Sequence, residues 1–534
     1  MRSGFGSAGA SPSRPQDGPS EGEAPPADPC GCPAPKQDVH YAVQSHEDSE
    51  LTMSTKTIFA CRFFLIAGLV ALAGADCMLA EEPPETRPNI IFIYADDMGW
   101  TGSSVEMIQG DEATKSDFYQ TPNLEKLAKR GMVFSQAYSP GPMCTPSRAG
   151  VLTGLTPAEL RITTPGGGRT DSSKKVLTPR ASTQLPRDLA TTGSTLQAAG
   201  YATALLGKWH IGHRDDAGAH GFDLHDGPTQ NDSNGTDEDP KAIVSLTRRG
   251  IEFMEKNANA GKPFFLQLSH YAVHSPIQSR PSSIDKFNAA SSGRIHRDSN
   301  YAGMTWDLDT SLAQITEAVQ RLGIAENTYI VFMSDNGAQG NRRKPNNTPL
   351  FAGKGTLYEG GIRVPLVIVG PGVETGYCGQ PVSGTDLFAT FAAWAGVEVE
   401  SQESEDLTPL FTGRQSEFRR RKALFFHYPH YGKGAQTPQT ALVAGDWKLL
   451  RDWETGTDQL FDLKNDIGES NDVSAKNAER FESMVESLEA RLKETDAQLP
   501  TKNLNYDSNS DSNGDRGSRR GAGRGRGRGR SGGR

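Results

Sequence analysis

The chain has 534 residues, 35% of them hydrophobic and 23% charged, with a formal net charge of −9 and six cysteines. That length admits one large domain and a smaller one, and the ordinary apolar and charged fractions make most of it globular and soluble. The charge is uneven: the closing stretch RGSRRGAGRGRGRGRSGGR holds eight arginines and no acid, so the rest is an acidic body that disfavours nucleic acid as a specific partner.

Residues 1–52 are rich in Pro, Ser, Gly and acids without periodicity, which predicts a disordered extension or a start codon placed too early. From Met53 the order changes to Lys56 and Arg62, a nearly all-apolar run over residues 63–73, then the small residues Ala73, Gly74 and Ala75. That order predicts a secretory signal peptide over 53–80, and the apolar run is short for a membrane span. The protein is therefore expected to be exported, to a periplasm or outside the cell. Export removes Cys30, Cys32 and Cys61 and leaves Cys77 at most at the new terminus, so Cys144 and Cys378 are what the mature domain keeps. A disulfide framework is excluded as its source of stability.

From residue 86 short apolar runs alternate with amphipathic stretches. NIIFIYADD, YATALLGKWH, PFFLQLSHYAVH, TYIVFMSDNG and VPLVIVGPG are continuous runs, as expected of strands covered on both faces. TPNLEKLAKRGMVF, GSTLQAAG, PKAIVSLTRRGIEFMEKNANAG and MTWDLDTSLAQITEAVQRLG carry helical spacing between them. Strand and helix in alternation predict an α/β body over 86–375, a mostly parallel sheet flanked by helices. Over 376–500 the texture shifts. Residues 425–463 read as short strands joined by Gly and Asp turns, followed by a helix over 474–499. This predicts a smaller antiparallel subdomain closed by a helix. Residues 501–534 are polar and then Gly-Arg repeats, expected to be disordered and able to touch polyanions through charge.

The polar residues fall at strand ends. Asp96 and Asp97 follow IIFIYA, Lys208 and His210 follow ATALLG, His270 and His274 follow FFLQLS, and Asp335 with Asn336 follows YIVFMS. In open parallel sheets the ligand crevice lies beyond the carboxyl ends of the strands, so four strands deliver these groups to one place. Asp96, Asp97, Asp335 and Asn336 are hard oxygen donors that suit Ca²⁺ or Mg²⁺. A single Asp in such a place is more often a turn or helix cap; the whole set is not. Arg148, Lys208, His210, His274 and Lys354 form a second, cationic set, which together with a divalent metal suits a tetrahedral oxyanion ester. For His270 a buried structural role is equally compatible with its position beside His274.

CTPSRAGVLTG over 144–154, GKWHIG, VHSP, SDNG and GKGTLYEGGIRVP occur in this order. With them, residues 87–500 resemble the type I sulfatases of the alkaline phosphatase superfamily. The resemblance implies an alkaline phosphatase-like fold and a sulfuric ester hydrolase. It implies that a maturation enzyme, reading Pro146 and Arg148, oxidises Cys144 to formylglycine. The hydrated aldehyde would attack sulfur with one hydroxyl and expel sulfate by deprotonation of the other. Asp96, Asp97, Asp335 and Asn336, with the modified Cys144, would ligate one Ca²⁺. Arg148 and Lys208 would hold the diol, His210 would assist elimination, and His274 and Lys354 would contact the sulfate and serve the leaving oxygen. Substrate recognition would draw on His427, His430 and Lys433 in FFHYPHYGKG, with the loop-like insertion over 164–186 lining the mouth. A sulfated polysaccharide bearing galactose or N-acetylgalactosamine is the implied substrate. The rival readings are a phosphoesterase or phosphonate monoester hydrolase of the same superfamily, an RNA- or polyanion-binding protein acting through the tail, and a non-catalytic relative. SDNG disfavours the first, because it offers Asn336 where a second zinc would want a carboxylate or histidine.

Overall fold

The computed structural model describes residues 87–212, 216–339, 346–419, 421–432 and 436–507. The expected signal peptide, the N-terminal extension and the Gly-Arg repeats lie outside the described residues, as does Lys433.

The body is an eight-stranded sheet. Its strands are β1 (Asn89–Ala95), β2 (Met132–Phe134), β3 (Ala202–Gly207), β4 (Leu224–His225), β5 (Phe264–Ser269), β6 (Thr328–Ser334), β7 (Leu366–Val369) and β8 (Gly376–Cys378). They lie in the order β8-β2-β7-β6-β1-β5-β3-β4. All pairs are parallel except those that β7 makes with β2 and β6. VPLVIVGPG thus forms a strand, as expected, but runs against its neighbours.

The central strands are buried end to end because both faces are covered. Ile91 and Ile93 of β1 enter a core shared with helices α2 (Ile243–Asn259) and α3 (Ser299–Arg321). Ile90, Phe92 and Tyr94 face the opposite core, with α1 (Cys144–Thr153) and α4 (Asp386–Trp394). This two-sided packing is why the runs read as continuous and not alternating. TPNLEKLAKRGMVF departs from its expected form: the helix stops at Ala128, and Met132–Phe134 becomes strand β2. A β-carbon at the intervening Gly131 would lie 2.1 Å from Ile368 O, so the chain there must stay bare to approach β7.

The body continues past the boundary expected at residue 375, since β8 pairs with β2 and α4 packs into the body's core. Beyond it, β9 (Leu424–Tyr428), β10 (Gln439–Ala444), β11 (Trp447–Asp452) and β12 (Thr457–Asp462) form an antiparallel meander. Helix α5 (Ala478–Glu494) closes it through Met484, Leu488 and Leu492 against Phe425, Leu442, Leu449 and Leu460. A buried ion network ties meander to body: Lys448 Nζ lies 2.9 Å from Glu359 Oε1 and 2.8 Å from Glu469 Oε1, and Arg363 holds the other Glu359 oxygen at 3.1 Å. Cys144 and Cys378 are both free and buried.

Candidate active site

Register brings the strand ends into one row. Tyr94 and Gly207 both pair with Ser269, and Ala95 pairs with Ser334. Asp96, Lys208, His270 and Asp335 therefore each follow the last residue of their strands at one sheet edge, Asp96 and Asp335 one step further along than Lys208 and His270. The ladder runs on by one step, with Lys208 N donating to Ser269 O at 2.8 Å and Asp335 N to Ala95 O at 3.0 Å. A β-carbon on Gly207 would fall 2.1 Å from Ser269 O, and its φ is +98°, so glycine is required just before Lys208. Asp97 and His210 then turn into the left-handed region, at φ +60° and +58°. Non-glycine residues in that region are uncommon and cluster at functional sites.

Helix α1 meets this row with its first residue, Cys144, and all ten of its residues are buried. Thr145 Oγ1 donates to His210 O at 2.8 Å and Ser147 Oγ to Gly141 O at 2.7 Å, which locks the helix start against the strand ends. The backbone N–H groups there add partial positive charge.

Cys144 Sγ lies 3.4 Å from Asp96 Oδ1, 3.8 Å from Asp97 Oδ1 and 2.9 Å from Lys354 Nζ. Each carboxylate has a cation of its own. Lys208 Nζ is 2.5 Å from Asp96 Oδ2, Lys354 pairs with Asp97, and Arg148 donates to Asp335 Oδ2 from Nη2 at 2.8 Å and Nε at 3.1 Å. Arg148 also donates to Lys208 O at 2.8 Å and lies over the Tyr94 ring, 5.1 Å from its centroid. Asn336 Nδ2 donates to Asp97 Oδ1 at 2.7 Å, and His274 Nε2 stands 3.8 Å from Asp97 Oδ2 at the more open side.

The electrostatics follow from burying so many charges together. Burial, reinforced by Asp96, pushes the Asp335 carboxyl up to about 6. Burial works the same way on Asp96, but Lys208, His274, Arg148 and Lys354 outweigh it and hold that carboxyl well below the usual range. Burial also raises the Cys144 thiol, despite Lys208 and Lys354, so the unmodified side chain is a poor source of thiolate. His210 is driven down to about 2, by burial first and then by Lys208 and Arg148, and is a neutral imidazole whose buried Nδ1 has no hydrogen-bond partner. Burial lowers His274 too.

The donor set fits a hard divalent cation. Ligand atoms of Asp96, Asp97, Cys144 and Asp335 lie within 4.8 Å of one another. Asp97 Oδ2 and Asn336 Oδ1 are buried without any hydrogen-bond partner. Unpartnered buried oxygens beside crowded carboxylates are what a Ca²⁺ or Mg²⁺ ion would satisfy.

The residues expected to contact substrate divide. His270 turns away: its Nε2 is 3.4 Å from Ser311 Oγ on α3, burial alone lowers it to about 4, and its role is structural. His427 corrects the expectation, because Nδ1 bonds Thr440 Oγ1 at 2.8 Å and Nε2 bonds Gln498 O at 3.0 Å, leaving no nitrogen for a sugar. His430 Nε2 bonds Thr163 Oγ1 at 2.7 Å, so this buried ring anchors the start of the 164–186 insertion and does not face solvent. The insertion also reaches the His210 loop, since a β-carbon on Gly212 would lie 2.7 Å from Thr183 O, and this puts it at the rim of the site. Replacing His427 with alanine is expected to destabilise the fold by about 1–3 kcal/mol, through the unpaired Gln498 carbonyl, with KM unchanged. Denaturant unfolding and steady-state kinetics check this; a raised KM in a fully stable variant would return His427 to substrate binding. Sequence patterning also passed over Lys241, a buried lysine in the polar loop before α2 that feels the charges of Asp96, Lys208 and Asp97 but follows no strand end.

Comparison with known proteins agrees with this geometry. A family model described as Sulfatase matches residues 88–397, and one described as N-sulphoglucosamine sulphohydrolase, C-terminal, matches residues 350–498. A sulfatase of Formosa agariphila is 29% identical over 479 residues, covering 73% of this chain and 85% of its own. N-acetylgalactosamine-6-sulfatase of Sus scrofa is 30% identical over 436 residues, covering 74% and 77%. The solved structure of Ps i-CgsB in complex with k-i-k-neocarrahexaose matches with a TM-score of 0.63 at 28% identity, over 82% of this chain and 98% of that one. Joined to the α/β body and its meander, these matches mean that the chain belongs to the sulfatase family, among the type I sulfatases of the alkaline phosphatase superfamily, and is a sulfuric ester hydrolase.

Proposed function

We propose that this enzyme removes a sulfate ester from a sulfated carbohydrate, using Cys144 after its conversion to formylglycine by a maturation enzyme, beside one Ca²⁺. The observation that carries the reading is the position of Cys144 Sγ: at the first turn of a buried helix, 3.4 Å from Asp96 and 2.9 Å from Lys354 Nζ. The intact Cys-Thr-Pro-Ser-Arg run over 144–148 supports the modification. Once hydrated, the aldehyde supplies a gem-diol nucleophile, and Ca²⁺ held by Asp96, Asp97, Asp335 and Asn336 supplies charge for the sulfate oxygens.

The chain's own residues do the rest. Arg148, pinned by Asp335 and Lys208 O, presents a fixed positive charge to residue 144. Lys208 and Lys354 flank the same side chain and stabilise negative charge as it grows on the transferred group. His210, kept neutral, can take a proton from the side chain at 144. His274 and Lys354 stand on the Asp97 side, from which a proton reaches the leaving oxygen.

A carbohydrate substrate is supported by relatives named for N-acetylgalactosamine-6-sulfate and by a neighbour solved with a neocarrahexaose. We assign a sulfated galactose or N-acetylgalactosamine unit on that basis. Export, read from the segment after Met53, and polyanion contact by the Gly-Arg tail belong to the same proposal. The phosphoesterase rival is separated by paired substrates: 4-nitrophenyl sulfate is expected to exceed 4-nitrophenyl phosphate in kcat/KM by at least about tenfold. The reverse order would overturn the sulfate-ester assignment.

A further inference from the structure

The last described residues are fastened to the rim of the active site. Thr501–Lys502 forms a two-residue strand antiparallel to Val176–Leu177 of the insertion over 164–186, with Lys502 opposite Val176 and Thr501 opposite Leu177. Asn503, itself buried, secures the pairing: its N donates to Lys175 O at 3.0 Å, and its Nδ2 donates at 2.8 Å to both Ser172 O and Lys174 O. Whatever follows Asp507 is therefore rooted on the insertion.

Two side chains, Tyr431 and Gln436, connect this root to the catalytic groups. Val176 N donates to the Tyr431 hydroxyl at 3.3 Å, and Lys174 Nζ lies 5.3 Å from the centroid of the same ring. Gly432 N then donates to Gln436 O at 3.2 Å, and Gln436 Nε2 donates to Lys354 O at 2.9 Å. Lys354 is the residue whose Nζ stands 2.9 Å from Cys144 Sγ.

The charge here is opposite to that of the acidic body. The insertion carries Arg169, Lys174, Lys175 and Arg180 against one acid, Asp171, whose carboxylate already accepts from Ser173 N at 2.9 Å and Ser173 Oγ at 2.7 Å. The insertion folds back on itself through Ala181 N to Gly167 O at 2.9 Å and Thr178 Oγ1 to Arg169 O at 3.1 Å, and Arg169 and Arg180 are exposed along that seam. The segment after Asp507, outside the described residues, adds eight arginines from Arg516 to Arg534 against Asp511 and Asp515. Covalent geometry alone keeps Arg516, nine residues on, within about 30 Å of the root. A polymer with sulfates on many of its units is repelled by an acidic surface and drawn to a basic one. An arm rooted beside the site presents its charges there at high effective concentration.

We propose that the insertion rim and the arginine segment rooted on it bind the anionic chain of a sulfated polysaccharide beyond the unit being cleaved, and so make the enzyme prefer polymeric to small sulfate esters. This rests on the proposed function for the ester that is cleaved, and adds which residues hold the rest of the polymer and where.

The test compares the full chain with two full-length variants, one with all eight arginines from Arg516 to Arg534 changed to serine, the other Arg169→Ser/Arg180→Ser. The substrates are a sulfated galactan and 4-nitrophenyl sulfate, and fluorescein-labelled dextran sulfate reports binding without turnover. The eight-serine variant is expected to raise KM for the galactan about tenfold or more, with kcat and the rate on 4-nitrophenyl sulfate within about twofold of the parent. Arg169→Ser/Arg180→Ser should raise the galactan KM at least about twofold, and dextran sulfate should bind the parent more tightly than either variant. Added salt should shrink these differences. The peptide 508–534 supplied separately should not restore the eight-serine variant, because its charges are no longer rooted at the site. An unchanged galactan KM in either variant, equal losses on both substrates, recovery with the separate peptide, or a parent that cuts 4-nitrophenyl sulfate and not the galactan would each overturn the proposal. Arginine-dependent binding of poly(U) with no effect on galactan turnover would assign the segment to RNA and overturn it as well. Dextran sulfate binding that depends on these arginines in a parent that releases no sulfate from either substrate would keep the polyanion surface and sink the sulfatase mechanism instead.

Discussion

Cys144→Ala is expected to cut sulfate release from an aryl sulfate by more than about a hundredfold while leaving the fold intact. The loss follows from removing the nucleophile itself, which no neighbour can replace: the cations around position 144 hold and polarise, and the carboxylates are already paired. The fold should survive because α1 is held by other groups, Thr145 to His210 O and Ser147 to Gly141 O, and ends on Gly154 at φ +70°. Far-ultraviolet circular dichroism and a thermal scan check the fold, and a discontinuous sulfate assay checks the activity. Residual turnover within a factor of about a hundred of the native rate contradicts the nucleophile assignment. The companion measurement is the mass of the tryptic peptide ending at Arg148, which should carry an aldehyde; an unmodified thiol in fully active enzyme excludes the formylglycine route.

The second large effect concerns the cation. Chelation of divalent metals is expected to remove activity, and Ca²⁺ to restore it in the native chain but not in Asp97→Asn. Asp97 is the informative position because its Oδ2 has no hydrogen-bond partner among the described residues, whereas both oxygens of Asp335 accept, Oδ1 from Asp97 N and Oδ2 from Arg148. Thermal unfolding supplies a readout independent of turnover. A ligand present at a hundred times its Kd stabilises the native state by about 2.7 kcal/mol, so the native midpoint should climb with Ca²⁺. Asp97→Asn should lose that dependence. Its midpoint without added metal should stay near the native one, since the variant relieves crowding among buried carboxylates as well as releasing Lys354. A native enzyme that keeps its rate and its midpoint through exhaustive chelation has no such ion.

Some of the site was readable because its signals are local. An apolar run closed by Asp96–Asp97 or Asp335–Asn336 states both that a strand ends and that polar atoms sit at its end. Helices α2, α3 and α5 were visible in their spacing, with ends that differ from expectation by a few residues, as frayed ends do. The reversed β7 was not visible, because an apolar run looks the same in either direction and only its pairing with β2 and β6 sets its sense.

The histidines mark the limit. His270 and His274 follow the same strand, yet one turns to Ser311 on α3 and the other to Asp97. His427 and His430 lie in a stretch suggestive of sugar binding, yet His427 is spent on Thr440 and Gln498, and His430 gives Nε2 to Thr163 while its buried Nδ1 has no hydrogen-bond partner.

By itself, then, the sequence determined the α/β class, the strand ends that carry chemistry, and the motif around Cys144, because each depends on residues close together in the chain. Only the tertiary structure decided which cation serves which carboxylate and which histidines face the site. Those outcomes depend on side-chain direction and desolvation at contacts between residues far apart in sequence, where local pattern carries no information.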